Sequence, residues 1–299
     1  MDRRDWVVCH VYAYIWAFTH FMIFLGIVLI YQRQWTILAV YIALLSIGSH
    51  VRVPKIDTVS RLFMPAFQRL VGGCEIIRND TRSRSKTRPV MYAVHPHAIA
   101  ANGFGLAMHD CVSHGERVTV AASSWLCCFN PLFRWFINAI GLRFTSVSRS
   151  DFTSALSRSE NIALLPGGFE EVLFSEKNKD VVCIQKRFGF LKFAIKYGYD
   201  VVPVFIFGES KLYSNLIPLP RWTRWLSATL RIPLVIPKGR SWCSLIPNKP
   251  SRGLRIVFGE AMHARDIRGL RELHRMYVAK IQDIYRNFNL YEDTSLVLL

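Results

Sequence analysis

A chain of 299 residues with 51% apolar side chains can bury one large core, and no Gly/Ser/Pro-rich linker divides it into two soluble domains. Its net charge of +17 is compatible with nucleic acid or an acidic membrane surface as partner; the basic residues are scattered and the clearest cluster is not interleaved with aromatics, so a membrane surface fits better, a solvated charged loop without a partner being the plain alternative for that cluster. Seven cysteines, an odd number without Cys-x-x-Cys spacing, argue against a disulfide framework and a structural zinc site.

Residues 7–31 hold no Asp, Glu, Lys or Arg and are long enough to enter or cross a hydrocarbon layer of about 30 Å. The run outlasts a signal-peptide core of about 7 to 15 residues, and no small-residue cleavage site ends it. A polar tip, Gln32-Arg33-Gln34, separates it from a second apolar run at 35–49 that is short for an independent crossing. The pattern predicts a membrane-embedded helical hairpin over 1–50, followed by one α/β domain over 51–299. Arg3 and Arg4 before the hairpin and Arg52, Lys55 and Arg61 after it, against Arg33 alone at the tip, put both ends in the cytosol. The plainer alternative is a hairpin buried in a soluble core.

Arg78, Arg82, Arg84, Lys86 and Arg88 alternate with Ser and Thr and read as a solvated loop before the first strand, within reach of anionic headgroups. Strand patterns follow at 90–94, 118–122, 162–165, 201–205, 234–236 and 254–258. Helical patterns lie at 99–114, 125–139, 152–159, 190–197 and 266–288, and the alternation predicts an α/β fold around a central sheet. In the last helix Ile267, Leu270, Leu273, Tyr277, Ile281, Ile284 and Phe288 recur every three or four residues, a core-facing stripe. His109 and His114 read as surface histidines, Cys127-Cys128 as part of an apolar segment, and Arg221-Trp222-Thr223-Arg224-Trp225 as an interfacial patch.

Three strand endings carry chemistry. The first strand runs into His95-Pro96-His97, two imidazoles suited to taking a proton from a hydroxyl. The strand at 162–165 runs into Pro166-Gly167-Gly168-Phe169-Glu170-Glu171, where the glycines allow unusual backbone angles and a carboxylate can orient an imidazole on a neighbouring strand. The strand at 201–205 continues through Phe207-Gly208-Glu209. Ligands of open α/β sheets sit beyond the carboxyl ends of strands, so three such endings predict one crevice.

Together, His95-Pro96-His97-Ala98, Pro166-Gly167-Gly168-Phe169-Glu170-Glu171 and the segment from Val202 to Glu209 resemble the type 2 diacylglycerol acyltransferase family, which includes monoacylglycerol and wax-alcohol acyltransferases. The likeness runs from about Val51 to the C-terminus. In two places the chain departs from the family pattern: Ala98 stands where that pattern has Gly, and Phe188 where an Arg-Lys-Gly-Phe motif has Lys. The resemblance implies a single acyltransferase domain that moves an acyl group from acyl coenzyme A to a neutral-lipid hydroxyl, foremost diacylglycerol. Monoacylglycerol, long-chain alcohols and sterols are alternative acceptors, and a catalytically silent lipid-binding protein is the alternative of another class. It also implies an endoplasmic reticulum or lipid-droplet membrane, with the domain facing the cytosol. The reaction needs no metal and no cofactor beyond acyl-CoA as co-substrate, and a homo-oligomer is left open.

On this reading His97 is the general base and Glu171, matching the family's acidic position, orients its ring; His95 supports, although the sequence does not separate the two histidines. Pro96, Gly167, Gly168, Arg187 and Gly189 are expected to contact substrate. Lys186, Arg143, Arg149 and Arg158 are further candidates for the coenzyme's phosphates. Main-chain N–H groups near Gly167 and Gly168 or after His97 are candidate oxyanion donors. Because Ala disfavours positive φ, the loop after His97 is expected to use ordinary backbone angles.

Overall fold

A computed structural model describes residues 3–51, 53–79, 88–124, 126, 130–216, 227, 229, 235–240, 245–267 and 269–299. Arg52, Arg82, Arg84, Lys86, Cys127-Cys128, the tryptophan patch at 221–225 and Leu234 lie outside these residues.

The two apolar runs form helices α1 (Arg3–Tyr31) and α2 (Trp35–His50), joined by the turn at 32–34. The Tyr41 hydroxyl donates to the Met22 carbonyl across the hairpin at 2.7 Å. Among the described residues no helix is long and apolar enough to cross a membrane. One side of the hairpin packs on the domain. Val8 and Tyr12 join the core beside α3 (Asp57–Leu70), Asp5 meets Arg69 at 2.8 Å, and the Trp135 indole donates to the Gly48 carbonyl at 2.9 Å. The other side leaves Phe21, Phe24, Ile27, Trp35, Leu44 and Ile47 exposed.

The domain continues through β1 (Cys74–Arg78), β2 (Val90–His95), α4 (Asn102–Ser113), β3 (Val118–Ala122), α5 (Pro131–Ala139), β4 (Arg143–Ser146), α6 (Arg149–Ser157), β5 (Asn161–Leu164) and α7 (Gly168–Leu173). After these come β6 (Lys179–Val182), α8 (Gly189–Tyr197), β7 (Asp200–Phe207), β8 (Ser214–Asn215), β9 (Pro237–Lys238), β10 (Leu254–Phe258), β11 (Met262–His263), α9 (Leu270–Phe288) and β12 (Ser295–Leu298). Eight strands form a mixed sheet ordered β1-β10-β7-β2-β5-β3-β4, with β11 beside β7. Strands β7, β2, β5, β3 and β4 run parallel, so their carboxyl ends share one edge; β10 runs against β7 and carries β1 in parallel. Separate pairs join β12 to β6 and β8 to β9.

The sheet is covered on both faces, which is why β2 and β7 read as continuous apolar runs. Side chains alternate with period two. Tyr92 and Val94 face the layer of α1, α3, α4 and α5, while Met91 and Ala93 face α6, α8 and α9. His95 continues the Met91–Ala93 set and is delivered to the α9 side.

Several expectations are corrected. Arg78 is the last residue of a strand, not part of a solvated loop: its guanidinium meets Asp110 at 2.5 Å and lies over the Phe258 ring. The helix expected from 99 starts at Asn102, after Ala98 and Ala101 adopt left-handed angles incompatible with it. The helix expected from 266 starts at Leu270, after Gly269 with φ +95°. Residues 235 and 236 are not in a strand; the short strand follows at Pro237–Lys238. His109 is half-buried, with its ring 2.6 Å from the Ser60 hydroxyl.

Candidate active site

The carboxyl ends of β2 and β5 bring His95, His97 and Glu171 together. Glu171, in the first turn of α7, is fully buried, and three N–H groups converge on it. The His95 ring, through Nδ1, lies 3.1 Å from Oε1, to which the Cys183 main-chain N–H also donates at 3.0 Å; the His97 main-chain N–H donates to Oε2 at 2.6 Å. A carboxylate only accepts, so His95 Nδ1 carries a proton. On its other side His95 Nε2 is 3.1 Å from the Tyr277 hydroxyl, which also lies 3.3 Å from the Ala93 carbonyl. Burial raises the Tyr277 phenol well above its ordinary range, so it stays protonated.

The expected pairing of Glu171 with the His97 ring is therefore corrected: the ring Glu171 holds is that of His95. Strand alternation is the reason, because it aims His95 into the space between β2, α7 and α9, while His97 lies beyond Pro96 and outside the strand. The His97 ring makes a local contact instead, Nδ1 to the Ala98 carbonyl at 3.0 Å. A carbonyl accepts only, so the proton sits on Nδ1 and the Nε2 lone pair is left free of it. Burial holds this largely buried imidazole below its ordinary pKa range, with the Glu171 charge pulling the other way. Ala98 has φ +45° and Ala101 φ +49°, so the ordinary angles expected for this loop are also corrected.

Gly167 and Gly168 serve different needs. Gly167 has an unexceptional φ of −72°, but a Cβ there would lie 1.9 Å from Glu171 Oε1. Gly168 has φ +55° and open space around it. Of the expected oxyanion donors, several are already engaged: His97 N–H by Glu171, Gly168 N–H by the Leu165 carbonyl, Ala101 N–H by the His97 carbonyl, and the Asn102 and Gly103 N–H groups by Glu209.

Arg187 lies 2.6 Å from Glu170, each about two-fifths exposed, and Gly189 opens α8 with nothing near the place of a Cβ. Phe188 lies against the His274 ring, centroids 4.1 Å apart, which gives the departure from Lys a packing role. Of the other basic candidates, Lys186 is exposed, while Arg143 and Arg158 both pair with Glu160. The residue that sequence reasoning missed is Tyr277. Its place on the core stripe was legible, and a buried phenol needs a partner for its hydroxyl; which partner depends on how α9 crosses β2.

A parallel-centred α/β sheet carries at its carboxyl edge a buried His95–Glu171 pair and a second histidine, His97. The chain matches the model of the diacylglycerol acyltransferase family over residues 27–298, and it belongs to that family. It is 33% identical over 144 residues to diacylglycerol O-acyltransferase 1 of Saccharomyces cerevisiae, covering 46% of this chain and 34% of that protein. To mouse 2-acylglycerol O-acyltransferase 1 it is 26% identical over 65% of this chain and 64% of the relative, and to mouse acyl-CoA wax alcohol acyltransferase 2 it is 25% identical over 73% and 72%. The chain spans about half the length of several of the relatives it matches. Among solved structures, the 1-acyl-sn-glycerophosphate acyltransferase PlsC of Thermotoga maritima aligns over 96% of this chain and 98% of its own, at a TM-score of 0.47 and 14% identity.

Proposed function

We propose that the protein is an acyl-CoA-dependent O-acyltransferase that esterifies the free hydroxyl of diacylglycerol. The observation that carries this reading is the placing of the His97 ring: Nδ1 lies 3.0 Å from the Ala98 carbonyl, which assigns the proton to Nδ1 and leaves Nε2 as the basic atom, while burial lowers its pKa and the Glu171 charge opposes that shift. In the proposed reaction His97 Nε2 takes the hydroxyl proton as the alcohol oxygen bonds to the thioester carbonyl carbon. The tetrahedral intermediate then expels the thiolate, which recovers the proton from the imidazolium. Glu171 stabilises that imidazolium electrostatically and holds its main chain, while His95, itself held by Tyr277, fixes the Glu171 carboxylate. In the proposed complex Arg187 exchanges its partially exposed partner Glu170 for a phosphate of the donor, next to Gly189. The names of the relatives, which include 2-acylglycerol and wax-alcohol enzymes, support hydroxyl lipids as the acceptor class.

The exposed apolar side of the α1–α2 hairpin supports a membrane anchor that enters the bilayer from the cytosolic side of the endoplasmic reticulum, with both ends of the hairpin on that side. The test is transfer from labelled oleoyl-CoA by the purified full chain in micelles, offered diacylglycerol, monoacylglycerol, a long-chain alcohol and a sterol in parallel. Diacylglycerol should give the highest kcat/KM. Replacing His97 by Ala should lower kcat by about 10² to 10⁴ fold while leaving melting unchanged. A folded His97→Ala protein of parental activity would end the mechanism, and no transfer to any acceptor would favour a silent lipid-binding protein.

A further inference from the structure

The loop that carries His97 is strained and held from outside. Ala98 and Ala101 both occupy the left-handed region, which L-residues other than Gly adopt only when their surroundings impose it. Ala101 directly precedes α4, and the next two main-chain N–H groups are clamped by one carboxylate: Asn102 N–H donates to Glu209 Oε1 at 2.6 Å and Gly103 N–H to Oε2 at 2.8 Å. Glu209 follows the carboxyl end of β7 and is buried. The approach is close enough that a Cβ on Gly103 would lie 2.5 Å from Ile206 and 2.9 Å from Glu209 Oε2. The Asn102 side chain completes the arrangement. Its amide nitrogen is 3.4 Å from Glu209 Oε1, and its Oδ1 accepts from the hydroxyl of Tyr12, a buried residue of α1.

We propose that Tyr12, Asn102 and Glu209 form a positioning relay by which the first helix of the hairpin fixes the loop presenting His97. None of the three touches the reacting atoms. The relay acts on the backbone at Ala101, and Ala101 N–H returns to the His97 carbonyl at 3.1 Å, closing the loop on itself. The inference rests on the reading of His97 as the base, and it adds a function for α1: the element proposed to meet the membrane also sets the geometry of the centre.

The test uses the full chain in micelles and two readouts. Tyr12→Phe removes the hydroxyl and keeps the ring packed against Phe67; Glu209→Ala would strand two buried N–H groups and is a poorer choice. Loss of the bond to Asn102 should raise hydrogen exchange at the amides of 98–103 by about 2- to 10-fold and lower kcat by a similar factor. KM for acyl-CoA should not change. Tyr41→Phe, which breaks a hydrogen bond inside the hairpin, should do neither. Adding Ala101→Gly to Tyr12→Phe should restore kcat, because Gly keeps the left-handed angle without the clamp. Unchanged exchange at 98–103, equal effects from Tyr41→Phe, a shift in KM alone, or no recovery with Ala101→Gly would each overturn the relay. A parent without transferase activity would end the functional reading, while the exchange experiment would still decide whether Tyr12 holds the loop.

Discussion

Glu170 and Glu171 are adjacent carboxylates in opposite environments, and exchanging each for Gln separates them. Glu171 takes three N–H donors on two oxygens, two at Oε1 and one at Oε2. A Gln carbonyl placed at the Oε1 position can keep His95 and Cys183, but its amide nitrogen then faces the His97 N–H, donor against donor. A buried N–H left without an acceptor costs about 1–3 kcal/mol, and loss of charge weakens the two remaining bonds, so the total is about 2–4 kcal/mol. Felt in the transition state, that is about 30- to 10³-fold in kcat/KM. Glu170→Gln removes only a half-exposed ion pair with Arg187, worth at most about 1 kcal/mol, or about 5-fold. The assay is transfer from labelled oleoyl-CoA to diacylglycerol in micelles, with melting measured in the same micelles. Equal losses at the two positions, or a loss confined to Glu170→Gln, would refute the assignment of Glu171 as the buried anchor of both histidines.

Gly167→Ala should behave like Glu171→Gln, because the new Cβ displaces the carboxylate, whereas Gly168→Ala meets only left-handed strain of about 1–2 kcal/mol; the reverse order in kcat/KM would contradict the packing argument. Ala98→Gly should melt at or above the parental temperature and retain activity within several fold. Relief of about 1–2 kcal/mol of strain offsets the roughly 0.4–1 kcal/mol of added chain freedom, and a clear drop in melting temperature would show that Ala98 is not strained. Burial pushes Asp180 and Glu209 both up to about 7. Their unfolded values lie near about 4, so the folded state binds the extra protons, and stability falls as pH rises from about 4 through about 7. His97, held low, has the opposite slope, with stability lost as pH falls below about 6.5. The difference between parent and Asp180→Asn cancels that part and should show a flatter melting-temperature decline in the variant from about pH 5 to about pH 8; an identical slope would remove Asp180 as its source.

Local pattern was enough to read much of this protein. The period-two runs at 118–122 and 254–258 form strands with those bounds, and the run at 90–94 needs only His95 added. The stripe of the last helix survives with its start moved to Leu270, where a glycine with positive φ interrupts the helix. The family was legible because its three motifs are short runs of contiguous residues, readable wherever the strands end. Strands β1, β4 and β6 escaped notice because each is only four or five residues long and mixes charged with apolar side chains. Their identity comes from neighbours that complete their hydrogen bonds, not from a period of their own.

The division of labour at the site shows the same boundary. That two histidines and a glutamate belong together is contained in the motifs. Which imidazole the glutamate holds is not, because it depends on the face of β2 to which His95 points and on the packing of α7 and α9 against that face. The backbone at Ala98 and Ala101 is a further case: side-chain preference predicts negative φ, yet both take the opposite sign in a loop whose far end is held by residues distant in sequence. Glu209 holds Asn102 and Gly103 from 107 and 106 residues away, and Tyr12 reaches Asn102 across 90. Propensity is a matter of about 1 kcal/mol per residue, and several buried hydrogen bonds acting together exceed it. The sequence by itself determined the chemistry available to this protein, and the tertiary structure decided which atoms of that chemistry face each other.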